Sequence, residues 1–331
     1  MFLYYQMYRS LGNRNFIVYD LQPDEVSDCS CCGFQAEHNG GRRCKTYWFW
    51  NVVASFLHLL NGLIMIILFY TDEQKDVCYQ LTAAYAGWEG INGTQPVSGE
   101  SISITAKSVY SHTLSLHWLI VGFHMLSFLF QIIPALFDDD SEWRIPCCNA
   151  LEYPYMELVE QQGRNPIRFI EYSISASIML ICIGLLTGIR DEHTLIMIGV
   201  LCAACQISGL LAEYSDSWRR TLHHAQGWVM LMTAYGIIWT YYGIAVVQAP
   251  VGYGAPDFVH AIVITMFILF NSFGIIQLTQ MYCRPKNGED NCFYKWVGKE
   301  AEVSYVAMSL VAKTVLGWVI YAQVIVTAEK C

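Results

Sequence analysis

The sequence predicts an all-α membrane protein, a bundle of seven transmembrane helices with a β-hairpin in a long first outer loop. Charged residues are only 14% of the 331 residues while hydrophobic ones reach 54%, against roughly 25% charged in soluble domains. The apolar residues are also gathered into seven stretches, each near the length of about 20 residues that an α-helix needs to cross hydrocarbon. Helices keep every backbone hydrogen bond internal, which isolated strands in lipid cannot do. A net charge of −9 without a basic arm argues against a nucleic-acid partner, because phosphate binding needs clustered positive charge.

Residues 1–46 read as a mobile cytoplasmic tail with one acidic and one basic part. Met1 to Asp20 never gathers an apolar core of the signal-peptide kind, so the first span, 48–70, is expected to direct insertion itself. The loop 71–110 is unusually long. Its alternation Ser101, Ile102, Ser103, Ile104, Thr105 has the period of a strand, which predicts a short hairpin. Asn92, Gly93 and Thr94 form a glycosylation sequon in the same loop. The remaining spans run 111–137, 166–188, 193–213, 222–248, 258–282 and 302–327, so that a seven-helix domain occupies 47–328 and residues 329–331 form an outer C-terminus. The third and fourth are divided at Arg190, Asp191 and Glu192, charges that hydrocarbon would not accept.

Lys and Arg counts orient the bundle. Fourteen fall on the side of the N-terminus, including Arg42, Arg43, Arg144, Arg164, Arg168, Arg219, Arg220 and Arg284, and four on the other: Lys75, Lys107, Arg190 and Lys330. The N-terminus is therefore expected in the cytoplasm and the C-terminus outside. Nearly all of the 13 Cys then lie inside or in the bilayer, with only Cys78 and Cys331 outside. Cys29, Cys31, Cys32 and Cys44 contain ligand types for zinc but lack the paired spacing of a zinc ribbon or finger. Reduced thiols, or lipidation of Cys44, Cys147, Cys148 or Cys283, is the competing reading.

Lys313 is the one ammonium or carboxylate between Val303 and Ala328. It lies roughly 15 Å and 22 Å from the two ends of that stretch at 1.5 Å per residue, whereas a lysine stem spans about 6 Å, so it cannot snorkel to either interface. A midplane lysine persists if it is neutralised, paired, or converted to a Schiff base with an aldehyde. Its natural partner is Glu171, the carboxylate well inside the third span. Ser175 stands one turn from Glu171 and Ser309 one turn from Lys313, giving each charge a hydroxyl on its own face. A buried ion pair explains the same residues without chemistry.

His58 and His124 stand at similar inner-half depth, with Asn61 near the first and His117 two turns further out. Each alone fits a satisfied core histidine; together they suggest a polar, water-holding cavity able to take a proton. Trp228, Tyr235, Trp239, Phe267, Phe270, Phe273 and Trp318 supply aromatic walls of the kind a flat polyene needs, although aromatic stripes also pack cores.

These residues resemble the heliorhodopsin family over all seven helices. The resemblance is carried by RFIEYSISASIM around Glu171, SLVAKTVLGW around Lys313, His58 in FLHLLNG, His124 in GFHML, Glu213 in GLLAEY and FNSFGIIQL in the sixth span, together with the inverted charge bias. It implies all-trans retinal on Lys313 as a Schiff base, Glu171 as counterion, Ser309 beside the Schiff base, and His58 and His124 in the proton-accepting cavity. It also implies a non-enzymatic protein of the plasma membrane, surrounded by lipid, that forms a homodimer with the hairpin at its interface. The chain departs from the family in an N-terminal extension of about 45 residues, an Asp138, Asp139, Asp140 run and the extra His117.

Two functions follow. One is a light sensor whose Schiff-base proton moves within the inner cavity and whose slow rearrangement alters a surface read by an unknown cytoplasmic partner. The other is a light-gated or light-driven proton channel or transporter. Pumping needs proton groups towards both faces: on the inner side Glu171, His58, His124, Glu213 and Glu302 are able to hold and return a proton, but the outer halves of the third to seventh spans hold no carboxylate between their loop ends, which favours sensing. A receptor for a diffusible ligand leaves midplane Lys313 and Glu171 without a specific role.

Overall fold

The computed structural model describes residues 40–71, 78–89, 103–136, 159, 164–248, 255–282 and 292–325. Seven of its helices are long and apolar enough to cross a membrane. In chain order the elements are α1 (Gly40–Thr71), β1 (Cys78–Glu89), β2 (Ser103–Ser115), α2 (Leu116–Leu136), α3 (Pro166–Leu186), α4 (Glu192–Tyr214), α5 (Ser217–Gln248), α6 (Asp257–Tyr282) and α7 (Cys292–Ile320), the last followed by a π-helical turn, Tyr321–Ile325. The cysteine cluster 29–32, the Cys44 side chain, Cys147, Cys148, Cys283, the sequon and the aspartate run lie outside the described residues.

The predicted hairpin is present and longer than the alternation suggested. β1 and β2 pair antiparallel from Cys78↔Ser115 to Glu89↔Ser103, with an irregularity between Gln80 and Thr82. This corrects the second span, expected from residue 111: Ser111 to Ser115 belong to β2 and the helix starts at Leu116. The segment SHTLS is polar enough to pair outside the bilayer, and Ser115 then caps α2 by accepting the Trp118 amide at 3.3 Å.

The division between the third and fourth spans also has a local cause. Asn165 caps α3 by accepting the Arg168 amide at 3.1 Å, and Pro166 takes a first-turn position where no amide hydrogen is needed. At its other end the chain turns at Gly188, whose φ of +94° suits a residue without a side chain. The Ile189 amide closes back on the Gly184 carbonyl at 3.0 Å, completing a Schellman-type stop. Asp191 then opens α4 by accepting the Thr194 amide at 2.8 Å.

Asp191 also joins the hairpin to the bundle. Its other carboxylate oxygen accepts the Ala84 amide at 3.3 Å, the Thr82 amide donates to Arg190 O at 2.9 Å, and the Arg190 guanidinium lies 4.1 Å from the Tyr79 ring centre. Slight burial pushes the Asp191 carboxyl upward, yet the Thr194 hydroxyl and amide and the Ala84 amide outweigh it and hold the pKa below the ordinary aspartate range. The anchor is therefore complete above that range and is lost as pH falls through the lowered value. Asp191→Ala should remove roughly 1 kcal/mol of capping and speed amide exchange at Thr82 and Ala84 with little change in the helices. Unchanged exchange at those two amides would show that the hairpin is held by other contacts.

Alternate crossing directions define a hairpin end and an opposite end of the bundle. α3 is its most enclosed helix, with 67% of its apolar window buried, against 22% for α5. Its neighbours supply fully buried side chains such as Phe123, Ile198, Tyr235 and Leu316. Val200, Ile207, Val229 and Ile268 face outward, as lipid-facing positions should.

Candidate functional site

Lys313 is 2% exposed. Helix side chains lean towards the helix N-terminus, so its ammonium reaches back towards the opposite end of the bundle. Nζ donates to Ser127 Oγ at 2.5 Å, Glu171 Oε1 at 2.7 Å and Ser309 Oγ at 2.9 Å, which gives each of its three N–H groups an acceptor. The Tyr172 ring centre stands 5.2 Å away. Glu171 is equally enclosed, so the pair is matched and neither charge is left bare in a low-dielectric interior.

Ser127 is the member that sequence reasoning missed. Its single proton goes to Glu171 Oε1 at 2.7 Å or to the Phe123 carbonyl at 3.0 Å, while its oxygen receives Lys313. The hydroxyl expected beside Glu171 was that of Ser175. Instead, Ser175 Oγ is buried without a hydrogen-bond partner and lines the adjoining cleft. One turn of spacing puts two residues on the same face without deciding which way their side chains turn. Ser127 lies three residues after His124, and that spacing on α2 was the available signal.

His58 and His124 meet through their Nδ1 atoms at 3.1 Å, both rings fully buried and both Nε2 atoms without a hydrogen-bond partner. Their depth differs from the expected inner half. His124 Nε2 lies 3.0 Å from where a β-carbon on Gly317 would stand, and Gly317 is one turn beyond Lys313 towards the hairpin end. The cause is twofold: α2 starts at Leu116 rather than 111, and its side chains lean back towards the hairpin end. Trp318 is also reassigned. Its indole donates to Asn61 Oδ1 at 2.8 Å beside α1, and it does not line the cleft.

That cleft, open to the outside, runs from Lys313 and Ser309 between Trp228, Phe270 and Phe273. Trp228 is held in place: its indole donates to His224 Nε2 at 2.8 Å, His224 Nδ1 faces Gln277 Oε1 at 3.2 Å, and Gln277 donates to Gly209 O at 2.8 Å. Gly274 makes room for the indole, since a β-carbon there would stand 2.8 Å from the ring. Tyr235 packs behind this wall, edge-on to Phe267 and Phe270.

A second charged cluster lies towards the opposite end. Arg168, counted from sequence as a loop charge, is buried at 5% exposure and paired with Glu213 and Glu302 together. Asn165 bridges the same two carboxylates, through its amide to Glu213 at 3.1 Å and its side chain to Glu302 at 2.9 Å. The Tyr305 ring centre lies 3.9 Å from the guanidinium. The sequence signal was three charges at span ends on one side: Arg168 reads as a loop charge because span ends are usually solvated, while Glu213 and Glu302 read as inner-side carboxylates able to hold a proton.

Residues 47–325 match the heliorhodopsin family. The chain belongs to the heliorhodopsin family. Among solved structures, the transmembrane domain of Salpingoeca rosetta rhodopsin phosphodiesterase is similar at 12% identity and a TM-score of 0.52, covering 86% of this chain and 89% of that one. A light-driven proton pump from Leptosphaeria maculans is similar at 13% identity and the same TM-score of 0.52, covering 86% and 95%. At such identities the likeness is one of fold. A comparison with curated proteins finds no match. Heliorhodopsin membership with a rhodopsin fold supports a retinal photoreceptor as the class of this multi-pass membrane protein.

Proposed function

We propose that this heliorhodopsin is a non-enzymatic light sensor that carries all-trans retinal as a Schiff base on Lys313. The observation that carries the reading is a buried lysine, matched by one carboxylate and two hydroxyls, opening into a cleft walled by Trp228, Phe270 and Phe273. Bound there, retinal supplies visible absorption and a light-driven change of shape. The chain's own residues do the rest. Glu171 balances the charge on the linked nitrogen. Ser127 and Ser309 lose donors once the ammonium has become a single N–H and can turn to Glu171. The unpartnered Nε2 atoms of His58 and His124 offer a place for a proton on the hairpin side. Adding all-trans retinal to the purified protein and recording its absorption tests the assignment; a visible band is expected.

The count of fourteen basic residues against four supports an N-terminus in the cytoplasm and a hairpin outside. A tag at the N-terminus should then be protected in intact cells and one after Cys331 accessible; the opposite labelling would reverse the topology. The plasma membrane, a homodimer through the hairpin and a cytoplasmic signalling partner complete the reading.

Sensing is favoured over conduction because the row of histidines towards the hairpin is interrupted. His117 is two turns beyond His124, and the fully buried Ile120, packed against the Gly317 position, stands between them. Illumination should therefore give no sustained transmembrane current. A steady photocurrent that follows the proton gradient in voltage-clamped cells would favour a proton channel, for which His117 is the supporting residue.

A further inference from the structure

We propose that Glu213, Arg168 and Glu302 form a second proton-holding site, which keeps one shared proton in the dark and exchanges it with the Glu171 region on illumination. The proposal deepens the light-sensing reading and its second half rests on that reading. The charge balance is the first ground. Lys313 and Glu171 cancel one another, but in the second cluster one guanidinium faces two carboxylates, all three side chains nearly fully buried. An uncompensated anion in such surroundings takes up a proton rather than remain charged.

The remaining groups around the cluster do not supply the missing positive charge among the described residues. α3 contributes Tyr172 and Glu171, both of which line a cavity shared with Arg168 and Glu302. α7 adds Tyr305, whose hydroxyl donates to Gln280 of α6 at 3.5 Å. α1 and α2 add the neutral Asn51 and Gln131. The guanidinium of Arg164 lies 5.0 Å from the Tyr214 ring centre, and His224 of α5 lines the cleft that Arg168 also reaches, with both ring nitrogens engaged by Trp228 and Gln277.

The second ground is a route. A small cavity is lined by Glu171 and Tyr172 on one side and by Arg168, Asn165 and Glu302 on the other. Gln131 also lines it, 3% exposed, with its Oε1 lacking any hydrogen-bond partner. A buried polar atom of this kind calls for water, and water between two carboxylate sites is a path for protons. The proton released near Lys313 thus has two destinations, the histidine pair on the hairpin side and this cluster on the other.

Infrared spectroscopy of the full-length protein in lipid vesicles, with isotopically labelled glutamate, tests the site. In the dark at neutral pH the labelled protein should show the carbonyl stretch of one protonated, buried glutamic acid. Glu213→Gln and Glu302→Gln should each abolish that band, because either substitution leaves one carboxylate against one guanidinium and no need of a proton. Absence of the band from the wild type, or its survival in both variants, would overturn the site. Because the labelled wild type answers the first question alone, a variant that fails to fold does not remove the test. On illumination the band should shift or lose intensity together with the visible absorption change. A band indifferent to light while the visible absorption responds would overturn the exchange. Failure of the protein to bind retinal would refute the photoreceptor reading and leave the dark band as a separate result.

Discussion

Lys313→Ala is expected to abolish visible absorption altogether after retinal is added. None of the seven spans contains another lysine, so no second amine is available in hydrocarbon to carry the aldehyde. The substitution also removes one partner of a buried pair and leaves Glu171 either charged without compensation or protonated. Loss of one partner of such a pair costs about 3–5 kcal/mol, so the variant should also unfold at a lower temperature. Absorption and helix content measured on the same sample separate the two effects. A folded variant that retained a visible band would reject the linkage, and with it the proposed role of the cleft.

Glu171→Gln should move the absorption of the retinal-loaded protein from the visible towards the near ultraviolet at neutral pH. The glutamine keeps the shape and still meets Ser127, but it no longer offers the anion that holds a proton on the linked nitrogen. Glu213 and Glu302 are poor replacements, because both are already committed to Arg168 and Asn165. Return of the visible band on adding chloride would show that a negative charge, rather than this carboxylate in particular, is what the site requires. A variant whose visible absorption titrates as the wild type does would assign the counterion elsewhere.

Two of the partners of Lys313 were legible because a lone charge in an apolar run has few explanations. Glu171 and Ser309 follow from depth and from one turn of helix, and both meet Nζ within 2.9 Å. Ser127 and the pairing of Arg168 with Glu213 and Glu302 were not legible. A serine in a membrane helix is usually satisfied by its own backbone, and an arginine near a span end is usually wet. Only the packing of α2, α3, α4 and α7 turns these particular side chains inward. The histidines were found as a pair, but their level depended on where α2 begins and on the lean of its side chains.

The number of helices, their order and the hairpin between the first two were settled by the chain alone. Hydrocarbon imposes a length and a polarity on any segment that crosses it, and the charged, Gly- and Pro-containing connections mark the breaks. The inter-helix neighbours of each polar side chain were decided by the fold. Rotation of a helix about its axis leaves its hydropathy unchanged, yet it determines whether Ser127 or Ser175 faces Glu171, whether Trp318 meets Asn61 or the cleft, and whether Arg168 meets water or two carboxylates. That rotation is set by the packing of side chains between helices distant in sequence, which no single span encodes.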